Sequence, residues 1–88
     1  MAKYSLRIKK SAIKELESVA SKADRRHIIA RIESLADNPR PPGSLKLSGR
    51  ERYRIRQGRY RILYTIEKSL LIVHVIKIGD RKDVYRNR

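Results

Sequence analysis

The chain contains no cysteine, few acidic residues and no long hydrophobic run. Without cysteine there is no disulfide framework, no thiolate zinc site and no cysteine nucleophile. The longest uninterrupted apolar run, residues 70–73, is far shorter than the roughly 20 residues that a membrane-spanning helix needs. The first ten residues alternate polar and apolar side chains and contain no segment of signal-peptide type. We therefore expect a cytoplasmic protein without a membrane association.

Acidic residues are the scarcer charged class, because nine Asp and Glu face 23 Lys and Arg, for a net charge of +14 over 88 residues. A chain of this length predicts one small domain, residues 1–88, with a thin core and little room for a cofactor. The two histidines, His27 and His74, are too isolated to indicate a metal site. Such a surplus of positive charge indicates a polyanion partner, because these cations repel one another unless phosphates or acids neutralise them.

Apolar spacing in the first half of the chain predicts one strand and two helices. Residues 4–8 alternate apolar and polar side chains, which is typical of a strand with one charged face. Apolar residues then recur at helical spacing in two segments, for which Ser11 and Asp24 stand at the expected N-caps. Asn38-Pro39 ends the second segment, because the residue before a proline avoids helical geometry.

The second half returns to a period of two and predicts three or four strands. Breaks at Gly58 and near Lys68-Ser69 indicate hairpin turns. Residues 70–78 are almost all apolar, which indicates a central strand buried on both faces. The order predicts an α+β fold, with an N-terminal strand, a two-helix hairpin and then a three- to four-stranded antiparallel sheet that has the helices packed on one face.

Arginine is concentrated in the predicted strands, and residues 50–61 hold six arginines and one acid, a local net charge of +5. Alternation sends Arg52, Arg54 and Arg56 to the non-core side of one strand, and Arg61 to that side of the next. Opposed residues of antiparallel strands lie about 5 Å apart, so the sequence predicts one cationic patch. Alternating arginine can also simply solvate a sheet, but the shortage of acids for cross-strand pairing favours a nucleic-acid site.

Three segments of the second half resemble the RelE family of toxin–antitoxin toxins, and so does the element order. The segments are Tyr53-Arg54-Ile55-Arg56, residues 58–64 (GRYRILY) and residues 77–86 (KIGDRKDVYR). RelE toxins are endoribonucleases that cut the mRNA codon in the ribosomal A site, and a cognate antitoxin silences them. The resemblance implies a RelE-like fold, a type II toxin that inhibits translation, and three partners, namely a RelB-like antitoxin, the 30S A site and mRNA.

The resemblance also implies a site and a reaction, in which the ribose 2′-OH attacks the adjacent phosphate and expels the 5′-oxygen. Such a step needs in-line geometry, a proton acceptor, a proton donor and cations around the charge that develops on phosphorus. The family pattern implies that Arg61 stabilises the phosphate, Arg81 assists the leaving oxygen and Tyr85 stacks on a base. The expected catalytic residues are Arg56, Arg61, Arg81 and Tyr85, and the expected RNA-binding residues are Arg52, Arg54 and Arg59.

Arg56 departs from the family pattern, because the best-known members have a lysine there that is proposed as the general base. Arginine stays protonated, so it is a poor base. We expect Arg56 to act electrostatically, with ribosomal RNA or water accepting the proton, or else the activity to be low.

Two other functions stay open at this point. A toxin of the ParE branch shares the fold but targets DNA gyrase and lacks the nuclease residues. A plain RNA- or DNA-binding module bears the same charge without any chemistry. Together, Arg61, Arg81 and Tyr85 favour the RelE interpretation over both.

Overall fold

The computed structural model describes residues 3–47 and 52–80, and within them two helices lie against one five-stranded sheet. In chain order the elements are β1 (Ser5–Ile8), α1 (Lys10–Glu17), α2 (Lys22–Ser34), β2 (Leu45–Leu47), β3 (Arg52–Gln57), β4 (Tyr60–Glu67) and β5 (Ile72–Asp80). The sheet order is β1-β5-β4-β3-β2. Strands β2 to β5 pair antiparallel, and β1 pairs parallel to β5. The predicted α+β fold is confirmed, and the first strand joins the same sheet.

Both helices begin at other residues than the sequence pattern predicts. β1 runs almost directly into α1, so the extended residue Lys9 is the N-cap and Ser11 lies inside the first turn. For α2 the N-cap is Ser21, whose hydroxyl accepts a hydrogen bond from the Asp24 backbone N–H at 3.1 Å. Asp24 lies in the first turn, where a carboxylate is favoured by the helix dipole. The predicted caps Ser11 and Asp24 are therefore wrong by two and three residues.

The helices cover one face of the sheet, and alternate strand residues fill the core between the two layers. Tyr64 is the largest of the fully buried side chains in the described ranges, and its ring stacks on Tyr53 at a centroid distance of 5.7 Å. The Tyr64 hydroxyl donates a hydrogen bond to the Pro39 carbonyl at 2.7 Å. Burial, the largest cause, raises the pKa of Tyr64 to about 12. The strand residues in this core are Tyr53, Ile55, Ile62, Tyr64, Ile66, Val73, Val75 and Ile78.

β5 lies between β1 and β4, but only one of its faces is buried, in contrast to the prediction. Its buried residues are Val73, Val75 and Ile78, and the spacing between the last two is three rather than two. A β-bulge explains this spacing, because residues 72–75 pair with β4 in a register one residue off from that of residues 77–80. Ile76 is thus the extra residue of the bulge. Because the bulge shifts the alternation of buried residues, the sequence of this strand looks like one continuous apolar run.

The two hairpin turns fall where the sequence predicts them. Gly58 opens the β3–β4 turn with a φ of 61°, a backbone conformation that glycine adopts without steric cost. The β4–β5 turn spans residues 68–71, so Leu70 and Leu71 precede the strand and are exposed. A short turn at Gly58 brings β3 and β4 into register over their whole length, and this pairing determines which arginines meet.

Candidate nucleic-acid interface

The sheet face opposite the helices, here called the open face, is lined with arginine on β3. Arg52, Arg54 and Arg56 alternate with the buried residues Tyr53 and Ile55, so they project away from the core. Arg52 and Arg56 are exposed, and Arg54 is half-buried. No acid within residues 3–47 and 52–80 forms an ion pair with these three arginines. The structure therefore presents three guanidinium groups on one strand without neutralising carboxylates from the described chain.

Arg61 on β4 is the register partner of Arg56, so two arginines stand directly opposite each other on neighbouring strands. Arg61 is also the one charged residue among those buried in the described ranges, with 9% of its surface exposed. Like charges directly opposite each other destabilise a sheet, and water screens a buried charge less than an exposed one. Two neighbouring cations, one of them buried, are suited to holding a phosphate.

Arg54 adds a polar group that is shielded from water. Its register partner is Leu63, which is buried although it lies on the open face. The Nε atom of Arg54 is buried and has no hydrogen-bond partner within the described part of the chain. A buried donor without a partner is unfavourable in the free protein. Arg54, Arg56 and Arg61 thus form one continuous group, which we call the arginine triad.

Arg59 does not belong to this group, although its place in the arginine-rich segment predicts a part in RNA binding. It lies in the β3–β4 turn, where its Nε donates a hydrogen bond to the Asp80 carboxylate at 2.8 Å. The Asp80 hydrogen bond and charge raise the pKa of Arg59 above its ordinary value. The guanidinium also lies over the Tyr60 ring, 5.9 Å from the centroid. Arg59 therefore ties the turn to the end of β5, and its charge is already balanced.

The end of β5 passes beside the arginine triad. Gly79 is the register partner of Arg61, and it places no side chain beside this arginine. The expected catalytic residues Arg81 and Tyr85 follow in the chain but lie outside the described residues. Arg50, part of the predicted +5 segment, also lies outside them. The structure therefore brings together Arg54, Arg56 and Arg61, and it places Asp80, which precedes Arg81 in the chain, one residue beyond Gly79.

Sequence reasoning missed the part played by Glu15, which the helical pattern indicates to be a solvent-facing residue. Its carboxylate accepts hydrogen bonds from the Lys77 ammonium and from the Ile78 backbone N–H, both at 2.9 Å. Together with Tyr60 and Asp80 these residues line a cleft of about 380 Å³ between α1 and the ends of β4 and β5. Glu15 and Lys77 are 62 positions apart in the chain, so the local sequence pattern gives no sign of this contact.

The histidines and acids of the described ranges are dispersed. No group of three or more His, Cys, Asp or Glu within residues 3–47 and 52–80 could hold a metal ion. His74 instead forms a hydrogen bond with Glu67 on the open face, at 3.0 Å between Nε2 and Oε1. Over the same ranges, neither helix has the length and apolar character that crossing a membrane requires.

The fold and the open face together define a class of protein, a small basic α+β domain whose exposed sheet face is suited to binding a polyanion. The chain belongs to the family of ParE toxins of type II toxin–antitoxin systems (parDE), whose sequence profile matches residues 6–85. It is accordingly a type II toxin of the RelE/ParE superfamily. Among curated protein sequences, none shows significant similarity to it.

Solved structures of RelE proteins are similar to this chain over nearly its whole length. A chain of the archaeal RelE-RelB complex from Pyrococcus horikoshii OT3 is 28% identical, with a TM-score of 0.77 and coverage of 92% of this chain and 97% of that chain. A mutant of the E. coli toxin RelE in complex with an antitoxin RelBc peptide is 27% identical, with a TM-score of 0.74 and coverage of 97% and 92%.

A third structure shares the fold at lower identity. The RelBE2 toxin–antitoxin complex from Mycobacterium tuberculosis contains a chain that is 20% identical, with a TM-score of 0.78 and coverage of 90% of this chain and 99% of that one. Together these matches confirm the resemblance to RelE toxins that the second half of the sequence indicates.

Proposed function

We propose that this toxin is a ribosome-dependent endoribonuclease of the RelE type, which cleaves mRNA in the ribosomal A site. The observation that carries the proposal is the arginine triad, in which Arg56 and Arg61 stand opposite each other and Arg61 is buried. A plain binding surface needs exposed cations only. A buried, fixed cation beside exposed ones is the arrangement that stabilises charge developing on a phosphate during reaction.

The proposed reaction is the attack of a ribose 2′-OH on the adjacent phosphate, with release of the 5′-oxygen. Arg61 holds the phosphate and stabilises its extra negative charge, and Arg56 adds to the field from the neighbouring strand. Arg54 and Arg52 contact the RNA backbone further along β3. In this proposal Arg81 assists the leaving oxygen and Tyr85 stacks on a base.

The proton acceptor in this scheme is not an arginine of the triad, because guanidinium groups stay protonated. The proton acceptor therefore comes from outside the toxin. It is either a group of ribosomal RNA or a water molecule beside the ribosome-bound mRNA. This requirement is a physical reason for free RNA to be a poor substrate. It also explains how a site with arginine at position 56 can work without a tuned lysine.

A cognate antitoxin is the second proposed partner. Two of the similar solved structures are complexes with RelB proteins or peptides, and a third is a toxin–antitoxin complex. A chain with a net charge of +14 needs a partner with an acidic or amphipathic segment that covers the open face. We expect expression of the chain alone to arrest growth, and coexpression with a small protein encoded next to it to relieve that arrest.

The test is to map mRNA 5′ ends in a reconstituted translation system. The wild type is compared with a double variant that carries Arg61→Ala and Arg81→Ala, and with Arg26→Ala as control. Arg26 is an exposed α2 arginine for which the described ranges record no hydrogen bond or ion pair. We expect cleavage within A-site codons by the wild type and the control, and none by the double variant. Intact mRNA with the wild type would overturn the proposal.

The alternative is a ParE-type toxin that acts on DNA gyrase, and the family profile that matches residues 6–85 favours it. The same cells and extracts distinguish the two functions. Intact mRNA together with trapped gyrase–DNA complexes indicates the ParE function. Cleaved A-site codons without trapped complexes indicate the RelE function.

The role of Arg56 has its own test, the dependence of the cleavage rate on pH. A lysine at this position can lose its proton near neutrality, so Arg56→Lys is expected to add a titration to the profile. Arg56→Gln is expected to lower the rate at every pH, because it removes a positive charge without removing a proton acceptor. A flat profile for Arg56→Lys combined with full cleavage by Arg56→Gln would mean that Arg56 takes no part in catalysis.

A further inference from the structure

The β-bulge in β5 reverses which residues of this strand face the arginine triad. Val73 and Val75 are buried on the helix side, so simple alternation would direct residues 77 and 79 to the core as well. The extra residue at Ile76 shifts the alternation, so that Ile78 is buried instead and Gly79 lies beside Arg61. Without the bulge, Gly79 would point at the helices and the place next to Arg61 would carry another side chain.

Within residues 3–47 and 52–80, no strand pairs with one edge of β5 beyond Val75. β1 pairs with β5 only up to Val75, through the register Ile8↔Val75 and a bond from the Lys9 N–H to the Val75 carbonyl at 2.9 Å. Beyond Val75 this edge of β5 is covered by α1, which packs along it. Backbone N–H groups on an edge that no strand pairs with need another acceptor, or they stay unsatisfied.

Glu15 supplies that acceptor, and it does so at the two residues that follow the bulge. One carboxylate oxygen accepts the Ile78 N–H and the other accepts the Lys77 ammonium, each at 2.9 Å. Both side chains are mostly shielded, with 30% of Glu15 and 23% of Lys77 exposed. A carboxylate that accepts two bonds in this setting holds the bulge more firmly than an exposed surface pair would.

A second contact acts on the other side of Gly79. Asp80 binds the Arg59 guanidinium from the β3–β4 turn, and the Asp80 side chain is 20% exposed. Gly79 is therefore flanked by two tethered residues, Ile78 on the α1 side and Asp80 on the turn side. Of the two tethers, the one to Glu15 lies nearer the bulge, at the two residues that follow it.

We propose that Glu15 is a positioning residue, which clamps the β5 bulge and thereby keeps Gly79 beside Arg61 on the open face. The inference rests on the proposed function, because it assigns Glu15 a part in that reaction. Glu15 touches no substrate in this scheme and acts through β5.

The test combines amide hydrogen exchange with cleavage kinetics on ribosomes, using the full chain. Glu15→Ala removes both hydrogen bonds and is expected to speed exchange at the Ile78 amide about tenfold or more. We expect its kcat to fall about 10- to 100-fold, because small misplacements of reacting groups slow reactions by that order. Its KM stays within about threefold, since Arg52 and Arg54 still bind the RNA backbone.

Three further variants make the test specific. Glu15→Gln keeps an oxygen that accepts the Ile78 N–H, so it is expected to restore slow exchange and most of kcat. Glu15→Asp keeps the charge but is too short to reach both donors, so it behaves like Glu15→Ala with less risk to folding. Glu17→Ala is the matched control, because Glu17 is an exposed glutamate on the same helix.

The outcomes separate this inference from the proposed function. If the wild type leaves mRNA intact, the proposed function fails, and the exchange data still show whether Glu15 holds the bulge. If the wild type cleaves and Glu15→Ala matches Glu17→Ala in kcat and in exchange, the inference is overturned. It is equally overturned if Glu15→Asp keeps full kcat, or if Glu15→Gln fails to restore it.

Discussion

The helix-covered face and the open face of β3 and β4 are made from alternate residues of the same two strands. The two faces nevertheless differ in charge and in burial. On the covered face Ile55 and Ile62 are register partners and are completely buried. One residue nearer the Gly58 turn on each strand, Arg56 and Arg61 are also register partners, and they place two like charges together. The first pair stabilises the fold, and the second is unfavourable for folding alone.

The difference indicates that stability and function are separated by face rather than by region of the chain. The unfavourable charge pair persists because the apolar pair beside it fixes the strand register. Substitutions at neighbouring positions should therefore have opposite consequences, and the largest contrast is expected between Arg61 and Ile62.

Arg61→Gln is expected to produce the largest effect, a loss of mRNA cleavage of about 100- to 1,000-fold. Removing one preorganised charge from a site that stabilises a developing anion lowers rates by this order. The uncharged glutamine also relieves the repulsion with Arg56, so the free energy of unfolding changes far less than the rate. Single-turnover cleavage on ribosomes and urea denaturation measure the two quantities. A parallel loss of both would contradict the separation of faces.

Ile62→Ala, at the neighbouring position on the covered face, is expected to lower the free energy of unfolding by about 2–5 kcal/mol. The core of this chain is thin, so a cavity at a fully buried position removes a large part of the total stability. Cleavage by the remaining folded molecules should continue at nearly the normal rate. Denaturant titration gives the stability, and cleavage is then measured at a temperature where the variant is still folded.

The sequence predicted the alternation of these two faces correctly because both β3 and β4 are regular strands with a strict period of two. It failed at β5, where the apolar run of residues 70–78 conceals a bulge at Ile76. A one-residue shift leaves no local mark in an apolar sequence, because isoleucine and valine suit either face. The Glu15 contact was equally invisible, since the spacing of α1 identifies its apolar side but not which carboxylate meets a strand edge.

The charge pattern also leaves two arginines undistinguished. Arg52 and Arg59 both lie in the arginine-rich segment, and the sequence treats them alike. The structure separates them, because Asp80 approaches the β3–β4 turn from a strand 21 residues away. Long-range pairing of this kind depends on the sheet register, which neither composition nor periodicity contains.

The third prediction uses this pair of arginines to sharpen the comparison. Arg52→Gln is expected to make the dependence of RNA affinity on salt less steep by about 0.7 in log–log slope, the value for one phosphate contact to a single strand. Arg59→Gln removes the same charge but is expected to change that slope much less, because Asp80 already neutralises it. Fluorescence titration of a labelled RNA at several salt concentrations measures both. Equal changes in slope would show that Arg59 also contacts phosphate.

The smallest expected effect concerns the covered face alone, at Tyr64. Tyr64→Phe removes the hydrogen bond to the Pro39 carbonyl and should lower the free energy of unfolding by about 1 kcal/mol at neutral pH. The pKa of Tyr64 is about 12 in the folded chain against 10.0 for an unperturbed tyrosine. The unfolded chain therefore loses this proton first, and the stabilisation is complete below pH 10 and lost as the pH rises toward 12.

The difference in stability between wild type and Tyr64→Phe isolates this titration, because every other group ionises alike in the two proteins. We expect the wild type's advantage to stay constant up to about pH 9 and then to shrink as the pH rises further. An advantage that held constant through pH 10–12 would mean that the hydroxyl ionises as readily folded as unfolded. The covered face would then admit water at its largest side chain, and it would resemble the open face more closely than the packing of Tyr53 and Tyr64 indicates.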